Sequence, residues 1–372
     1  MTGQNSSPLT RPSTIPAKAP PRPGRARWIE NLAVVWWVAG AAFAVVDAIA
    51  YRASAGAAVL PTVMRDHDLL GDVPARYMTV AVAALAVLGA LMATWQRWRP
   101  AGARAARGLM IAAAVLVLVG AVVLVDSTVL AGLGYLPAML VVSTFNAEAR
   151  ANLVHYVEPE FLFQLALLVG AVLLATATVR FARRTVAACE TCGRRFDGVD
   201  PAWTTPEAAA RWGKVAALVA AAAPAFYAVT RLAWALGIPL GFPREMVEQF
   251  QGIKLIGPVG LGSFALLGAV LTLGLYQRWG ERFPRWMIGL AGKRVPVKLA
   301  VIPATIVATA VLPAGITLIV VGARTGLLTL EADSWGAVGP GLLWPLWSVA
   351  LGAATYAYWL RRRGHCEACG QG

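Results

Sequence analysis

The chain has 372 residues, of which 58% are hydrophobic and only 14% charged, with a mean hydropathy of +0.62. That pairing excludes an ordinary water-soluble domain and identifies an integral membrane protein. A formal charge of +14 would suggest nucleic-acid binding in a soluble chain. Here the basic residues fall in alternate connections between apolar runs, so the expected partner is the lipid bilayer and no nucleic acid. Four cysteines in so long a chain do not make a disulfide scaffold.

Residues 1–27 are rich in Pro, Ser and Thr, with Pro8, Pro12, Pro16, Pro20, Pro21 and Pro23 among them. Such a mixture buries too little apolar surface to offset chain entropy and reads as a disordered cytoplasmic tail. It does not read as a signal peptide, because the first apolar run starts late and ends without a small-residue cleavage pattern.

A hydrocarbon core about 30 Å thick takes roughly 20 apolar residues in a helix. Eight runs qualify: 31–51, 77–96, 108–125, 161–179, 215–236, 255–277, 299–323 and 335–360. The expected fold is therefore all-α and polytopic, with about eight transmembrane helices. A further apolar stretch, 127–146, carries Gly132, Gly134 and Pro137, and is expected to be interfacial or re-entrant. With eight spans, one side of the membrane holds 25 Lys and Arg in its connections and the other seven. This asymmetry places both termini in the cytoplasm and the protein in the plasma membrane. Trp28, Trp95, Trp98, Trp212, Trp279, Trp286 and Trp359 fall near span ends on the basic side, where simple interfacial anchoring accounts for them.

Short matches recur in order through the chain. Ala26-Arg27-Trp28 matches Ala210-Arg211-Trp212, Leu88-Gly89-Ala90 matches Leu267-Gly268-Ala269, and Gln96-Arg97-Trp98 matches Gln277-Arg278-Trp279. Cys189-Glu190-Thr191-Cys192-Gly193 then matches Cys366-Glu367-Ala368-Cys369-Gly370. The expectation is an internal duplication: a first four-helix repeat over 28–193, a cytoplasmic linker over 194–210 and a second repeat over 211–372. Four spans per unit is an even number, so the repeats run parallel, related by a pseudo-two-fold axis along the membrane normal.

The two C-x-x-C-G units are the sharpest chemical signal. Each places two thiolates on one side of a tight knuckle, and two knuckles complete the tetrahedral set of a structural zinc. Cys189, Cys192, Cys366 and Cys369 are thus the expected ligands, meeting only if the two halves pack together. Free thiols and a redox pair are the alternatives, and His365 is a further donor beside Cys366. Arg194, Arg195 and Arg361 to Arg363 are placed to offset the charge of a zinc tetrathiolate.

A second constellation is Asp47 with Arg231, ionisable residues within the first and fifth runs. They lie about 25 Å along their helices and at equivalent positions of the two repeats. They suggest an intramembrane polar pair or ligand site, with snorkelling to the headgroups or a purely structural pair as the alternatives. Asp66-His67-Asp68 and His155, Glu158 and Glu160 lie in outward connections and read as solvated loop charge, their spacing fitting no metal site strictly. Asp126 marks an outer interface. No phosphate-binding loop, zinc-protease motif, dinucleotide fingerprint or nucleophile with a placed base is present.

The segment Gly280-Glu281-Arg282-Phe283-Pro284-Arg285-Trp286, followed by Gly292-Lys293-Arg294-Val295-Pro296, resembles a connection in uncharacterised multi-pass membrane proteins of high-GC actinobacteria. The Ala- and Arg-rich usage is similar too. The resemblance covers mainly the second half and implies lineage without an activity or a catalytic residue. The functional expectation is a non-enzymatic transport, sensing or scaffold protein. The alternative is a membrane-embedded enzyme acting on a lipid or isoprenoid carrier, for which the outer acidic connections are the only candidates.

Overall fold

The computed structural model describes residues 27–65, 67–98, 104–328 and 330–372. The expected tail and Asp66 lie outside the described residues, apart from Arg27. Among the described residues there are helices and turns but no strands, only two isolated bridges. Ten elements position the rest: α1 (Trp28–Ala53), α2 (Ala75–Trp98), α3 (Arg104–Val123), α4 (Ser127–Val142), α5 (Pro159–Arg184), α6 (Pro206–Ala235), α7 (Ile256–Leu273), α8 (Val297–Thr325), α9 (Trp335–Leu342) and α10 (Trp344–Arg362).

Every expected apolar run is helical over most of its length. Six stretches have the length and composition of a membrane span: α1, α2, α5, α6, α8 and the continuous pair α9–α10. The pair α3–α4 bends by 70° and makes a seventh only where the two helices are counted together as one span. The remaining run, expected over 255–277, is a shorter apolar helix from Ile256 to Leu273, because turns at 274–277 close its end.

The stretch 127–146 is helical from Ser127 to Val142 and starts at a capped corner. Asp126 accepts a hydrogen bond from the Thr128 N–H (2.8 Å), and its own N–H donates to Gln164 Oε1 (2.9 Å). The new helix therefore begins with one of its N-terminal donors capped, across the bend from α3.

Small residues fill the helix contacts, as expected where lipid tails offer no hydrophobic drive for helices to associate. In the first half Ala33, Trp37, Ala41, Val82, Ala86, Leu174 and Ala177 pack together. A Cβ on Gly89 would lie 2.1 Å from the Trp37 ring, so only glycine admits this approach of α2 to α1. In the second half Ala217, Ala220, Ala308, Leu351, Ala354 and Tyr358 do the same. The opposite helix faces are apolar yet uncovered: Val35, Val46 and Ile49 of α1 are each over 60% exposed. Such faces are stable only in hydrocarbon.

Helix partners correspond between the halves. α1 packs on α2 and α5, and α6 packs on α7 and α10; α3 packs on α5, and α8 on α10. The halves meet where α4 packs against α8. Side-chain contacts also gather particular helix ends. Arg184, at the end of α5, reaches Glu30 in the first turn of α1 and the Gln96 carbonyl near the end of α2. Arg361 and Arg362, at the end of α10, reach the Leu275 carbonyl beyond α7 and the Val295 carbonyl before α8. The chain segments that follow α5 and α10 leave from this same end, and they carry the cysteines.

Candidate metal centre

Each knuckle is built by its own backbone. The Cys189 N–H donates to the Arg194 carbonyl (2.8 Å), and the Gly193 N–H returns to the Cys189 carbonyl (2.8 Å). The second knuckle makes the same two bonds 177 residues later: Cys366 N–H to the Gln371 carbonyl (2.8 Å), and Gly370 N–H to the Cys366 carbonyl (2.7 Å). Both turns close through a left-handed residue, Gly193 at φ +74° and Gly370 at φ +69°, which explains the glycine after each second cysteine. At Gly193 a side chain would also meet Arg183 Nε at 3.0 Å.

The two knuckles meet. Cys189 Sγ lies 3.9 Å from Cys366 Sγ, Cys192 Sγ lies 3.6 Å from Cys369 Sγ, and all four sulfurs fall within 4.8 Å of one another. A tetrahedron of sulfurs about 2.3 Å from a central zinc has edges of about 3.8 Å. The sulfurs are thus spaced for a shared metal ion, and none is joined in a disulfide. Cys189, Cys192 and Cys366 are buried and Cys369 is half-buried. No other group of three or more His, Cys, Asp or Glu side chains among the described residues is placed to hold an ion.

Burial opposes thiolates here, and backbone N–H groups offset part of that cost. Burial pushes the Cys192 thiol up, partly offset by the Arg194 N–H on its sulfur, and the Cys369 thiol is likewise raised by burial. Cys366 bears the same cost of burial, yet it is held below the usual thiol value by the N–H groups of Cys369 and Ala368. Inward-pointing amides of this kind are the ordinary support of a metal knuckle.

Arginines tie the knuckles to each other and to the helices. Arg194 of the first half donates to the carbonyls of Gly364 (3.0 Å), Gln371 (2.9 Å) and Arg363 (3.0 Å). Arg363 of the second half donates to the carbonyls of Cys192 (3.0 Å) and Thr204 (3.1 Å), and pairs with Asp200 at 3.4 Å. Arg183 holds the Glu190 and Thr191 carbonyls, both at 3.0 Å. These cations gather where a tetrathiolate centre would carry two negative charges. Arg195 instead faces Asp197 at the surface, and no ligand role for His365 is found.

Asp47 and Arg231 are not brought together, and each has its own partners. Asp47 is buried and accepts hydrogen bonds from the backbone N–H groups of Val59 (2.5 Å) and Leu60 (3.3 Å), fastening the loop that follows α1 to that helix. Arg231 donates to the carbonyls of Gly336 (2.9 Å) and Ala337 (3.4 Å) while stacking on Tyr227 and Trp234. Pro340 has no N–H to offer Gly336, four residues earlier, so the guanidinium fills an acceptor that the helix leaves open.

Of the residues expected as solvated loop charge, His67 is instead buried and Asp68 meets a residue far along the chain. Asp68 accepts from Ser127 Oγ (2.9 Å), and His67 Nδ1 accepts from the Leu69 N–H (3.1 Å). His155 lies 2.8 Å from Glu158 on an exposed surface, and Glu160 stands in the first turn of α5.

Sequence reasoning missed Glu30. It is 2% exposed, lies 3.5 Å from Arg184 Nη1, and accepts no hydrogen bond at either oxygen. Its place in the first turn of a helix reads as ordinary complementarity to the helix dipole. Only its burial, which depends on Arg184 lying over it, sets it apart. The link from Glu30 through Arg184 to Glu190 (3.7 Å) ties the membrane bundle to the first knuckle.

The chain matches no family model, no curated protein and no solved structure.

Proposed function

We propose that this protein is a non-enzymatic membrane protein of the scaffold, sensing or transport class, whose two tandem four-helix units are joined beneath the bilayer by one structural zinc. The observation that carries the reading is the convergence of four cysteine sulfurs, two from each half, to within 4.8 Å. A site with four protein ligands, buried and braced by arginines, leaves no open position for substrate, which is the mark of a structural centre.

Duplication is supported by the paired hydrogen bonds of the two knuckles, which recur at a constant separation of 177 residues. It is supported again by Arg184 on the Gln96 carbonyl and Arg361 on the Leu275 carbonyl, an equivalent use of equivalent arginines. A cytoplasmic setting for the knuckles fits both the excess of Lys and Arg in the connections at that end and the reduced state that metal-binding thiols need.

Elemental analysis tests the proposal. Protein purified without chelator should carry about one zinc per chain, falling to background on Cys189→Ser or Cys369→Ser. Less than about a tenth of that in the wild type removes the site. One iron per chain instead of zinc keeps the clamp but overturns the choice of metal.

A further inference from the structure

The connection between α7 and α8, residues 274–296, is unlike its counterpart between α2 and α3, which spans only residues 99–103. It contains a hairpin closed by the bridge between Arg282 and Arg294, with Phe283 N–H bonded to the Lys293 carbonyl and Gly292 N–H to the Phe283 carbonyl, both at 3.0 Å. Its tip turns through Gly289 (φ +82°) and Gly292 (φ +73°). Its base is fixed to α10: Arg361 pairs with Glu281 (2.9 Å), Tyr358 Oη donates to the Gly280 carbonyl (2.7 Å), and Arg362 donates to the Val295 carbonyl (2.9 Å). The hairpin is therefore a built feature, held at the end of the molecule that carries the cysteines.

What it presents is unusual for a surface. Trp286 is 77% exposed and Ile288 98% exposed, with Leu290 also exposed beside them. Arg282, Arg285, Lys293 and Arg294 flank this tip along the hairpin, with Arg278 and Lys298 just beyond its base, and all six are exposed. Glu281 is the only acidic residue from 274 to 298, and it is already paired with Arg361. In water the tip would leave Trp and Ile uncovered, and the cations would stand with no counter-charge of their own.

We infer that this hairpin is an anionic-lipid anchor, seating Trp286, Ile288 and Leu290 among the headgroups of the adjoining leaflet while the ring of Arg and Lys binds lipid phosphates. Two arguments favour lipid over a soluble partner. The hairpin springs from the ends of two apolar helices, so it stands at the level where the headgroup layer begins. A Trp with aliphatic neighbours inside a basic rim is matched to that layer, its amphipathic ring in the interface and its cations on anionic lipid. Because the backbone bonds already order the loop, insertion loses little conformational freedom. The inference does not depend on the metal reading.

The test uses the whole protein in nanodiscs of phosphatidylcholine alone or of phosphatidylcholine with phosphatidylglycerol, reading amide hydrogen exchange over residues 283–292. Each basic residue near an anionic surface is worth roughly a fivefold gain in partitioning, so exchange in the anionic disc should slow by about fivefold or more, and high salt should reverse this. Replacing Arg282, Arg285, Lys293 and Arg294 together by Gln should abolish the difference between the two lipids. Trp286→Ser with Ile288→Ser should remove the protection itself, while exchange in α7 and α8 stays as in the wild type. Equal exchange in both discs, or protection that appears only when a soluble protein is added, would overturn the inference.

Discussion

The two ends of the molecule are organised on different principles. At the cysteine end, polar groups cross between the halves: Arg194 reaches three carbonyls of the second half, Arg363 reaches back to Cys192 and Thr204, and the sulfurs interleave. At the far end, polar groups are satisfied within their own half. Asp47 holds its own loop, Arg231 of α6 fills an open acceptor of α9 in the same half, and His155 pairs with Glu158 three residues on. A bond from Arg324 to the Leu69 carbonyl (3.0 Å) crosses there, beside the packing of α4 on α8. Polar coupling between the halves is therefore concentrated at the cysteine end, and perturbations should sort by the end they touch.

The largest effect belongs to the metal. Removing it by chelation, or removing one ligand by Cys192→Ser, should destabilise the protein by several kcal/mol, because the binding energy of a structural zinc is also folding energy. Thermal unfolding in detergent, with and without restored zinc, reads this directly. Unchanged stability after complete metal loss would break the comparison.

Arg363→Ala comes next. It leaves the Cys192 and Thr204 carbonyls and Asp200 Oδ2 without their donor, and should cost about 2–3 kcal/mol. It should also speed zinc release to a colorimetric chelator, which no change at the far end should do. Arg231→Ala follows, at about 1–3 kcal/mol, since the carbonyls of Gly336 and Ala337 lose their donor inside the bundle. Its zinc content and release rate should match the wild type, and a drop in either would show that the two ends are coupled after all. His155→Ala is the smallest, within about 0.5 kcal/mol, because the pair it breaks is exposed.

Much of this arrangement is legible in the sequence, for identifiable reasons. Long apolar runs report helices because only helices satisfy their backbone in hydrocarbon, and the runs over α1, α2, α5, α6 and α8 do so without ambiguity. The cysteine cluster is legible because the C-x-x-C-G turn is local, and its glycine announces the left-handed residue that both knuckles adopt. The bend between α3 and α4 is only half legible. Gly132 and Pro137 suggest an interruption inside 127–146, whereas the corner lies earlier, at Asp126, and depends on Gln164 from a distant helix.

Asp47 and Arg231 show the limit of reasoning by equivalence. Matching positions in the two proposed repeats suggest a shared environment, but Asp47 meets a loop and Arg231 meets a proline-broken helix. Which backbone group needs a partner is set by neighbours that differ between the two places. Glu30 was hidden for a related reason, since its burial depends on Arg184, which lies far from it in the chain.

The central claim is that one ion is held by both halves at once. X-ray absorption at the zinc edge of the purified protein should find four sulfur neighbours at about 2.3 Å in a sample carrying about one zinc per chain. Two sulfurs completed by nitrogen or oxygen, or bound zinc that survives replacement of Cys366 and Cys369 by Ser, would place the metal on a single knuckle and contradict the account.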